Sequence, residues 1–389
     1  MRVLVLDTIH GGTDIASALR RRGDTVDAVD VYRGCGFPAK AAASRSYDLV
    51  TAPVHLNPVY PLLAKAPMKT HHEMVRELTT VPGLSVEITG ARGKTTTAFI
   101  LASLLDGGGI LHTSSGTYHC PEQKLLWKKS ITPASVIAAA EAVRLCGADW
   151  LIAEESAGVA GFGRLGILTS ADDYRIAAGA KSALAEKCKS LERCEMVLVP
   201  QAAPMRDGWQ VIEDLVRVAG DTLSWDGGEL SNPLLTFAGY REPLSVAAAA
   251  GLLLDLEIER LSAFTALPGR MFLLEEEGVP VLDNANSGTN ADNTIEAAAY
   301  LRRLRPGLLM VLVIGMEHHA VCEGFPAEEI RRAAATAAPD RLVLIAGTGG
   351  TDMPGVDAVC ATFAEAKSTA LVLAKKIGGC ILLAAKTWR

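Results

Sequence analysis

Residues 84–108, LSVEITGARGKTTTAFILASLLDGG, run from a short apolar segment through a glycine-bearing turn into a stretch with helical spacing. Strand, glycine turn and helix in that order make a cradle for phosphate, because glycines let backbone N–H groups approach anionic oxygens and a helix N-terminus adds favourable partial charge. The turn itself is Gly90-Ala91-Arg92-Gly93-Lys94-Thr95-Thr96. Lys94 is placed to contact the β and γ phosphates of ATP, and the Thr95 hydroxyl is a hard oxygen ligand suited to Mg²⁺. The longer phosphate-loop pattern asks for glycine at position 88, where this chain has Ile88, so only G-x-x-G-K-T is met. A glycine turn carrying a solvated lysine is the structural alternative.

Downstream of that turn, DWLIAE (149–154), LGILT (165–169) and MVLV (196–199) read as strands, with a helix expected through 172–190. Upstream, RVLVLD (2–7), a helical TDIASALRRRG (13–23) and VDAVDV (26–31) form a β-α-β opening. Its loop, TIHGGTD (8–14), lacks G-x-G-x-x-G, which argues against a dinucleotide. Residues 49–70 carry four prolines, at 53, 58, 61 and 67, and are expected to form a linker or loop-rich boundary. From LPGRM (267–271) onward, apolar runs alternate with helical segments at 291–304, 326–336 and 362–376, the pattern of a second doubly wound unit. A chain of 389 residues exceeds what one core supports. The expected division is 1–82, 83–266 and 267–389, and the fold class α/β with mostly parallel sheets.

Hydrophobic residues at 49% and charged residues at 21% describe a folded globular chain. A formal net charge of -6 with no local basic patch argues against a nucleic-acid partner. The eight cysteines show neither CxxC nor zinc-type spacing, which fits a reduced cytoplasmic protein. The first apolar run, of roughly five residues, is too short for a signal-peptide core or a membrane span. The adjacent pairs His71-His72 and His318-His319 cannot point the same way on a regular element, so packed or solvated histidines are expected there.

VEITGARGKTTT (86–97) resembles the ATP-binding loop of the Mur ligase family, which includes folylpolyglutamate and cyanophycin synthetases. Five later segments agree in order. Leu151 to Ser156 is similar to the family strand whose terminal glutamate helps hold magnesium, which points to Glu154, with Glu155 as the second choice. The run from Ile167 to Tyr174, then Ala180-Lys181, resembles a segment with an Asp-His pair and a downstream lysine that is carbamylated and binds a second magnesium in several members. The resemblance gives that role to Lys181, although Tyr174 stands at the histidine position. Leu267 to Met271 is similar to the P-G-R-M entry to the C-terminal domain, whose arginine meets the γ-phosphate, implying Arg270. Asp283 to Ser287 resembles D-Y-A-H-x, implying that Asp283 binds the ribose, with Asn286 in place of histidine. Ile381 to Lys386 resembles the closing family strand, with Thr387-Trp388 replacing Gly-His. Ser245 stands near where many members carry an adenine-binding Asn.

The resemblance implies a three-domain fold: a Rossmann-like N-terminal substrate domain, a central P-loop ATPase domain and a Rossmann-like C-terminal domain. It implies ATP and Mg²⁺ as cofactors and phosphorylation of a substrate carboxylate to an acyl phosphate. The loop would be formed by Gly90 to Thr96, with Lys94, Glu154 and Arg270 catalytic and Thr95, Glu154 and Lys181 at metal. ESAGVAGFG (155–163) and ADDYRIA (171–177) are similar to the coenzyme F(430) synthetase branch of that family in methanogens. There the acid is a nickel tetrapyrrole, and a carbon nucleophile closes the last carbocyclic ring. Arg33, Lys40, Arg45, Arg92 and Arg164 are candidates to dock its carboxylates. An amide-forming ligase and an ATP-binding switch protein without turnover stay open. No membrane partner is expected.

Overall fold

The structure, a computed structural model, describes residues 1–317, 324–345 and 353–387. The chain divides into two compact units, Met1–Thr236 with Tyr240–Phe264, and Phe237–Gly239 with Thr265–Arg389. His318-His319, Cys322 and Trp388 lie outside the described residues.

The first unit opens with β1 (Arg2–Leu6), α1 (Thr13–Arg21), β2 (Thr25–Val29), α2 (Ala39–Ala43), β3 (Leu49–Ala52), β4 (Met68–Thr70) and α3 (His71–Leu78). The strands form a parallel sheet in the order β2-β1-β3-β4. Ile15, Ala16, Ala18 and Leu19 fall on one face of α1 and are buried, while Arg20 and Arg21 sit at its negative C-terminal end. The four-proline stretch, expected as a linker or loop-rich boundary, is loop-rich between its ends but lies within this sheet, since it carries β3 and β4. Its prolines fall outside both strands, where no ladder N–H is lost. Thr70 and Glu73 cap α3 reciprocally, so the chain turns from β4 into the helix with its first N–H groups satisfied.

The same unit continues with β5 (Leu84–Thr89), α4 (Lys94–Ala102), β6 (Gly109–Thr113), β7 (Gly116–Cys120), β8 (Lys124–Trp127), α5 (Ser135–Cys146), β9 (Trp150–Glu154) and β10 (Leu165–Leu168). Next come β11 (Arg175–Ile176), β12 (Lys181–Ser182), α6 (Ala183–Leu191), β13 (Met196–Val199) and β14 (Gln210–Val211). The large sheet runs β14-β13-β10-β5-β9-β6-β7-β8, so β5 lies in its interior between β10 and β9. Its pairs are parallel except β6 with β7 and β7 with β8. The helix expected over 172–190 begins only at Ala183. Left-handed Ala177, Ala178 and Gly179 turn the chain into the β11–β12 hairpin, and the Ser182 hydroxyl then caps α6. A three-stranded antiparallel sheet follows, of β15 (Val216–Ala219), β16 (Thr222–Trp225) and β17 (Gly228–Ser231), after the short α7 (Ile212–Leu215). Then comes α8 (Ala238–Leu253).

One apolar core joins Val3, Val5, Ile15, Leu19 and Met74 to Ile110, Val136, Val143 and Leu151. Burying each such side chain contributes roughly 1.5–3 kcal/mol, and this shared layer holds the N-terminal sheet against the larger one.

The second unit is a sheet in the order β18-β19-β23-β20-β21-β22. Its elements are β18 (Phe272–Glu276), β19 (Val279–Asp283), α9 (Ala291–Leu304), β20 (Met310–Met316), α10 (Ala327–Ala337), β21 (Arg341–Ile345), β22 (Ala358–Cys360), α11 (Phe363–Ile377) and β23 (Cys380–Lys386). Apart from antiparallel β18, its pairs are parallel. Among the described residues no helix is long and apolar enough to cross a membrane.

Leu151 is fully buried where the two sheets of the first unit share their core. Truncation to alanine should cost about 2–5 kcal/mol, read as a lower urea midpoint, whereas a change below about 0.5 kcal/mol, the range of surface sites, contradicts the shared core.

Candidate active site

Three neighbouring strand ends bring the polar groups of the first unit together: β10 delivers Thr169 and Ser170, β5 delivers Gly90 to Lys94, and β9 delivers Glu154. Gly90 has φ +148°, and a Cβ there would stand 2.1 Å from the Thr169 hydroxyl, so glycine is required for the turn to close. Thr169 and Ser170 then brace it. The Ser170 hydroxyl accepts from the N–H groups of Ala91 and Arg92 at 3.1 and 3.3 Å, and the Thr169 hydroxyl donates to the Arg92 carbonyl. Helix α4 starts from left-handed Gly93 with no side-chain cap, leaving its first N–H groups for an anion. Thr95, Thr96 and Thr97 are poor helix formers. All three are buried with Ala98, Ile100 and Leu101, so packing holds this helix rather than propensity.

Glu154 is 2% exposed and accepts from the Thr95 hydroxyl at 2.8 Å and the Ser114 N–H at 3.0 Å. The Lys94 ammonium lies 3.9 Å from Glu154 and donates to the Gly90 carbonyl at 3.1 Å. A buried carboxylate and a hydroxyl at this spacing, beside an ammonium and free helix N–H groups, fit a magnesium-bound triphosphate, because Mg²⁺ takes hard oxygen donors.

Glu155 points to the opposite face of its strand, where it meets Glu87 of β5. Burial raises the Glu155 carboxyl well above its ordinary value, and the Glu87 charge adds to that effect. Glu87 is also raised by burial but accepts from the N–H groups of Gly161 and Gly163 at 2.9 and 2.6 Å. The pair holds a shared proton, donated by Glu155, and anchors the loop that leads to β10.

Lys181 sits in the β12 arm of the hairpin and pairs with Glu186 at 3.3 Å. Lys187 of α6 also feels the charge of Lys94. Lys187 is fully buried, its ammonium has no hydrogen-bond partner among the described residues, and it lies 4.6 Å from the Tyr174 ring centroid. Burial first, and then the Lys94 charge, push it down to about 8. Sequence reading missed it, because the signal is only its place on the buried face of α6 with Ala183, Cys188 and Leu191.

A cavity of about 600 Å³ beside the loop is lined by Arg92, Ser170, Pro200, Val216, Arg241 and Ser245, among others. Ser245 spends its hydroxyl on the Arg241 carbonyl at 2.8 Å. Arg92 is held by Asp172 and Glu242, and Arg45 by Asp27, whereas Arg33, Lys40 and Arg164 are exposed. In the second unit Asn286 donates to the Gly269 carbonyl at 2.7 Å and so clamps the turn that carries Arg270. Asp283, at the end of β19, accepts from the Ala285 N–H at 3.1 Å and is 6% exposed. Lys386 is buried and donates to the Gly324 carbonyl, and Thr387 donates to Glu317. His71 and His72 are both buried, with His72 on the Ser156 carbonyl at 3.1 Å.

The fold is that of the Mur ligases. A pseudomurein peptide ligase type C from Methanothermus fervidus superposes with a TM-score of 0.51 at 16% identity, covering 98% of this chain and 96% of that one. A folylpolyglutamate synthase from Thermotoga maritima superposes with a TM-score of 0.57 at 12% identity, covering 82% and 90%. Residues 273–387 match the family model described as coenzyme F430 synthetase CfbE, C-terminal domain. A coenzyme F(430) synthetase from Methanosarcina acetivorans is 31% identical over 412 aligned positions, covering 84% of this chain and 85% of that protein. The chain therefore belongs to the coenzyme F(430) synthetase family and is an enzyme of the ligase class.

The carboxyl pair makes stability depend on pH with a definite sign. Unfolded, Glu155 ionises near 4.5, whereas folded it stays protonated well above that value, so the native state binds more protons. The contribution of this pair to stability is complete below pH 4.5 and falls as pH rises toward the folded value. Glu155→Gln keeps the hydrogen bond to Glu87 and should flatten that decline, giving a melting temperature above wild type at pH 8. Parallel pH profiles for the two proteins would contradict a shared proton.

Proposed function

We propose that this protein is an ATP-dependent ligase that closes the final carbocyclic ring of coenzyme F(430) from the nickel seco-F(430) acid. The observation that carries this reading is the 2.8 Å contact of Thr95 with buried Glu154 beside Lys94, in a chain similar along 84% of its length to a coenzyme F(430) synthetase. We take residues 1–82 as the substrate domain, 83–266 as the nucleotide domain and 267–389 as the closing domain.

Gly90 to Thr96 would cradle the triphosphate with backbone N–H groups, and Lys94 would neutralise charge on the β and γ phosphates. Thr95 and Glu154 would hold Mg²⁺, which supplies charge stabilisation at the transferring phosphoryl group. Arg270 would complete the γ-phosphate contacts, and Asp283 would bind the ribose. A propionate oxygen of the substrate attacks the γ-phosphorus, the bond to the β,γ-bridging oxygen breaks, and ADP leaves. The acyl carbon is then attacked by a ring carbon, whose proton passes to a base, and phosphate departs. Excluding water at that stage protects the acyl phosphate, and the braced loop provides a rigid floor for it.

The metal role that the family resemblance gives to Lys181 belongs, on this reading, to Lys187. An amine pushed down to about 8 keeps a far larger neutral fraction at physiological pH than an ordinary lysine, and that fraction can add CO₂, forming an N–C bond and releasing a proton. The resulting carbamate replaces a buried cation that lacks a hydrogen bond among the described residues with an anion that attracts Lys94. In ¹³C-bicarbonate, a carbamate resonance should be present in wild type and Lys181→Ala and absent in Lys187→Ala. A signal lost only in Lys181→Ala would reverse the assignment.

Purified protein with Mg²⁺ and ATP should release ADP when given the nickel seco acid, with no amino acid present and a product mass lower by one water. Lys94→Ala should lower that turnover by at least about a hundredfold while the melting temperature holds, the cost of deleting one preorganised charge from a transition state. ADP release that requires an added amino acid, with a matching mass gain, would make the protein an amide ligase. ATP binding without turnover on any carboxylate would make it a switch protein.

A further inference from the structure

The N-terminal sheet has a second cluster that the reading above does not use. Strand order β2-β1-β3-β4 makes β1 and β3 the point where the connections diverge, the place where open parallel sheets bind ligands at their carboxyl ends. Asp7 follows β1 there, and His55 follows β3. Asp7 is fully buried and non-glycine at φ 71°, a conformation that costs about 1 kcal/mol or more. Its carboxylate repays that locally by accepting from the Ile9 and His10 N–H groups at 3.0 and 3.1 Å and from His10 Nδ1 at 2.6 Å. His55 Nε2 lies 3.4 Å from the same carboxylate. Burial alone would raise the Asp7 carboxyl, but His55 and His10 outweigh it and hold it at about 2.

The consequence is an imidazole with a fixed tautomer. With Nδ1–H given to Asp7, the lone pair of His10 Nε2 is left for an outside partner, on a side chain 44% exposed. The ring is walled edge-on by Tyr32 at 5.4 Å and His55 at 4.8 Å. A carboxylate behind a histidine in this way is the recurrent arrangement behind metal-bound imidazoles, fixing the ring and raising its basicity. Exposed Ile9 and Tyr32 give an apolar rim, and exposed Arg33 adds positive charge. Gly11 packs against Thr132 and Ala134, and the neighbouring Ile131 carbonyl receives the Ser156 N–H, two residues beyond Glu154. The cluster is therefore tied by short backbone links to the strand end that holds the phosphate site.

We propose that His10, oriented by Asp7, is the axial nitrogen ligand to the metal at the centre of the substrate macrocycle, and that Tyr32 and Ile9 meet the ring face. This rests on the tetrapyrrole reading of the preceding section. The bond is a lone-pair donation into an open axial site, with no electron or proton transferred. It fixes the flat substrate by its centre, so that its peripheral propionate is presented at a constant distance.

Nickel X-ray absorption on wild-type enzyme with the nickel seco acid, without ATP, tests this directly. The bound spectrum should show the outer-shell scattering of an imidazole ring that is absent for the acid in buffer. His10→Ala should lose that scattering and bind the acid at least about tenfold more weakly, and Asp7→Asn should weaken binding by about tenfold. The wild-type spectrum needs no variant, so a poorly folded His10→Ala leaves the test intact. Imidazole scattering absent from wild type, or unchanged in a folded His10→Ala, overturns the axial assignment. ADP release measured in the same preparation separates the two readings: release without an imidazole on nickel removes only this inference, whereas neither binding nor release removes both.

Discussion

Glu154 reaches Thr95 across 2.8 Å from the end of one interior strand to the start of a helix that begins one strand away. A carboxylate 2% exposed is costly unless its oxygens are satisfied, and here a hydroxyl, a backbone N–H and a nearby ammonium share that task. Those same groups are the ones that a magnesium-bound triphosphate requires. The Gly90 approach to Thr169, the bracing hydroxyl of Ser170 and the buried threonines of α4 all serve to keep that spacing fixed.

The first unit handles buried charge in three further ways, each with a different chemical result. Glu155 and Glu87 share a proton, which makes a neutral anchor for the loop between β9 and β10. Among the described residues Lys187 has no hydrogen-bond partner for its ammonium, and burial shifts it toward the neutral, reactive amine. Asp7 stays ionised because two histidines surround it, and it orders one of them for use. Groups that depart from their ordinary protonation sit beside the two strand-end clusters, where desolvation and specific partners coincide.

The strand, glycine turn and helix of the candidate phosphate site were legible in the sequence because their requirements are local: two glycines, a lysine and a threonine between an apolar run and a helix. Glu154 was legible for the same reason, as the last residue of a strand, and side-chain alternation sends Glu155 to the other face. The alternation of strands and helices gave the parallel α/β class. What failed depended on distant partners or on turn chemistry. Four prolines in 22 residues suggested a linker or loop-rich boundary; the loop is there, between β3 and β4, but the two strands that flank it belong to one sheet. The left-handed run Ala177 to Gly179 was invisible, so a helix was drawn through a hairpin. His10 carried no pattern at all, since its partner His55 lies 45 residues away and only the sheet order joins them.

The central claim is that one strand-to-helix turn grips the terminal phosphates of ATP with magnesium alongside. A crystal structure with Mg²⁺ and a non-hydrolysable ATP analogue tests it most directly. The β and γ phosphates should lie on the N–H groups of Ala91 to Thr95, with the ion between the Thr95 hydroxyl and Glu154. A triphosphate bound elsewhere, with Lys94 still folded back on the Gly90 carbonyl, would contradict it.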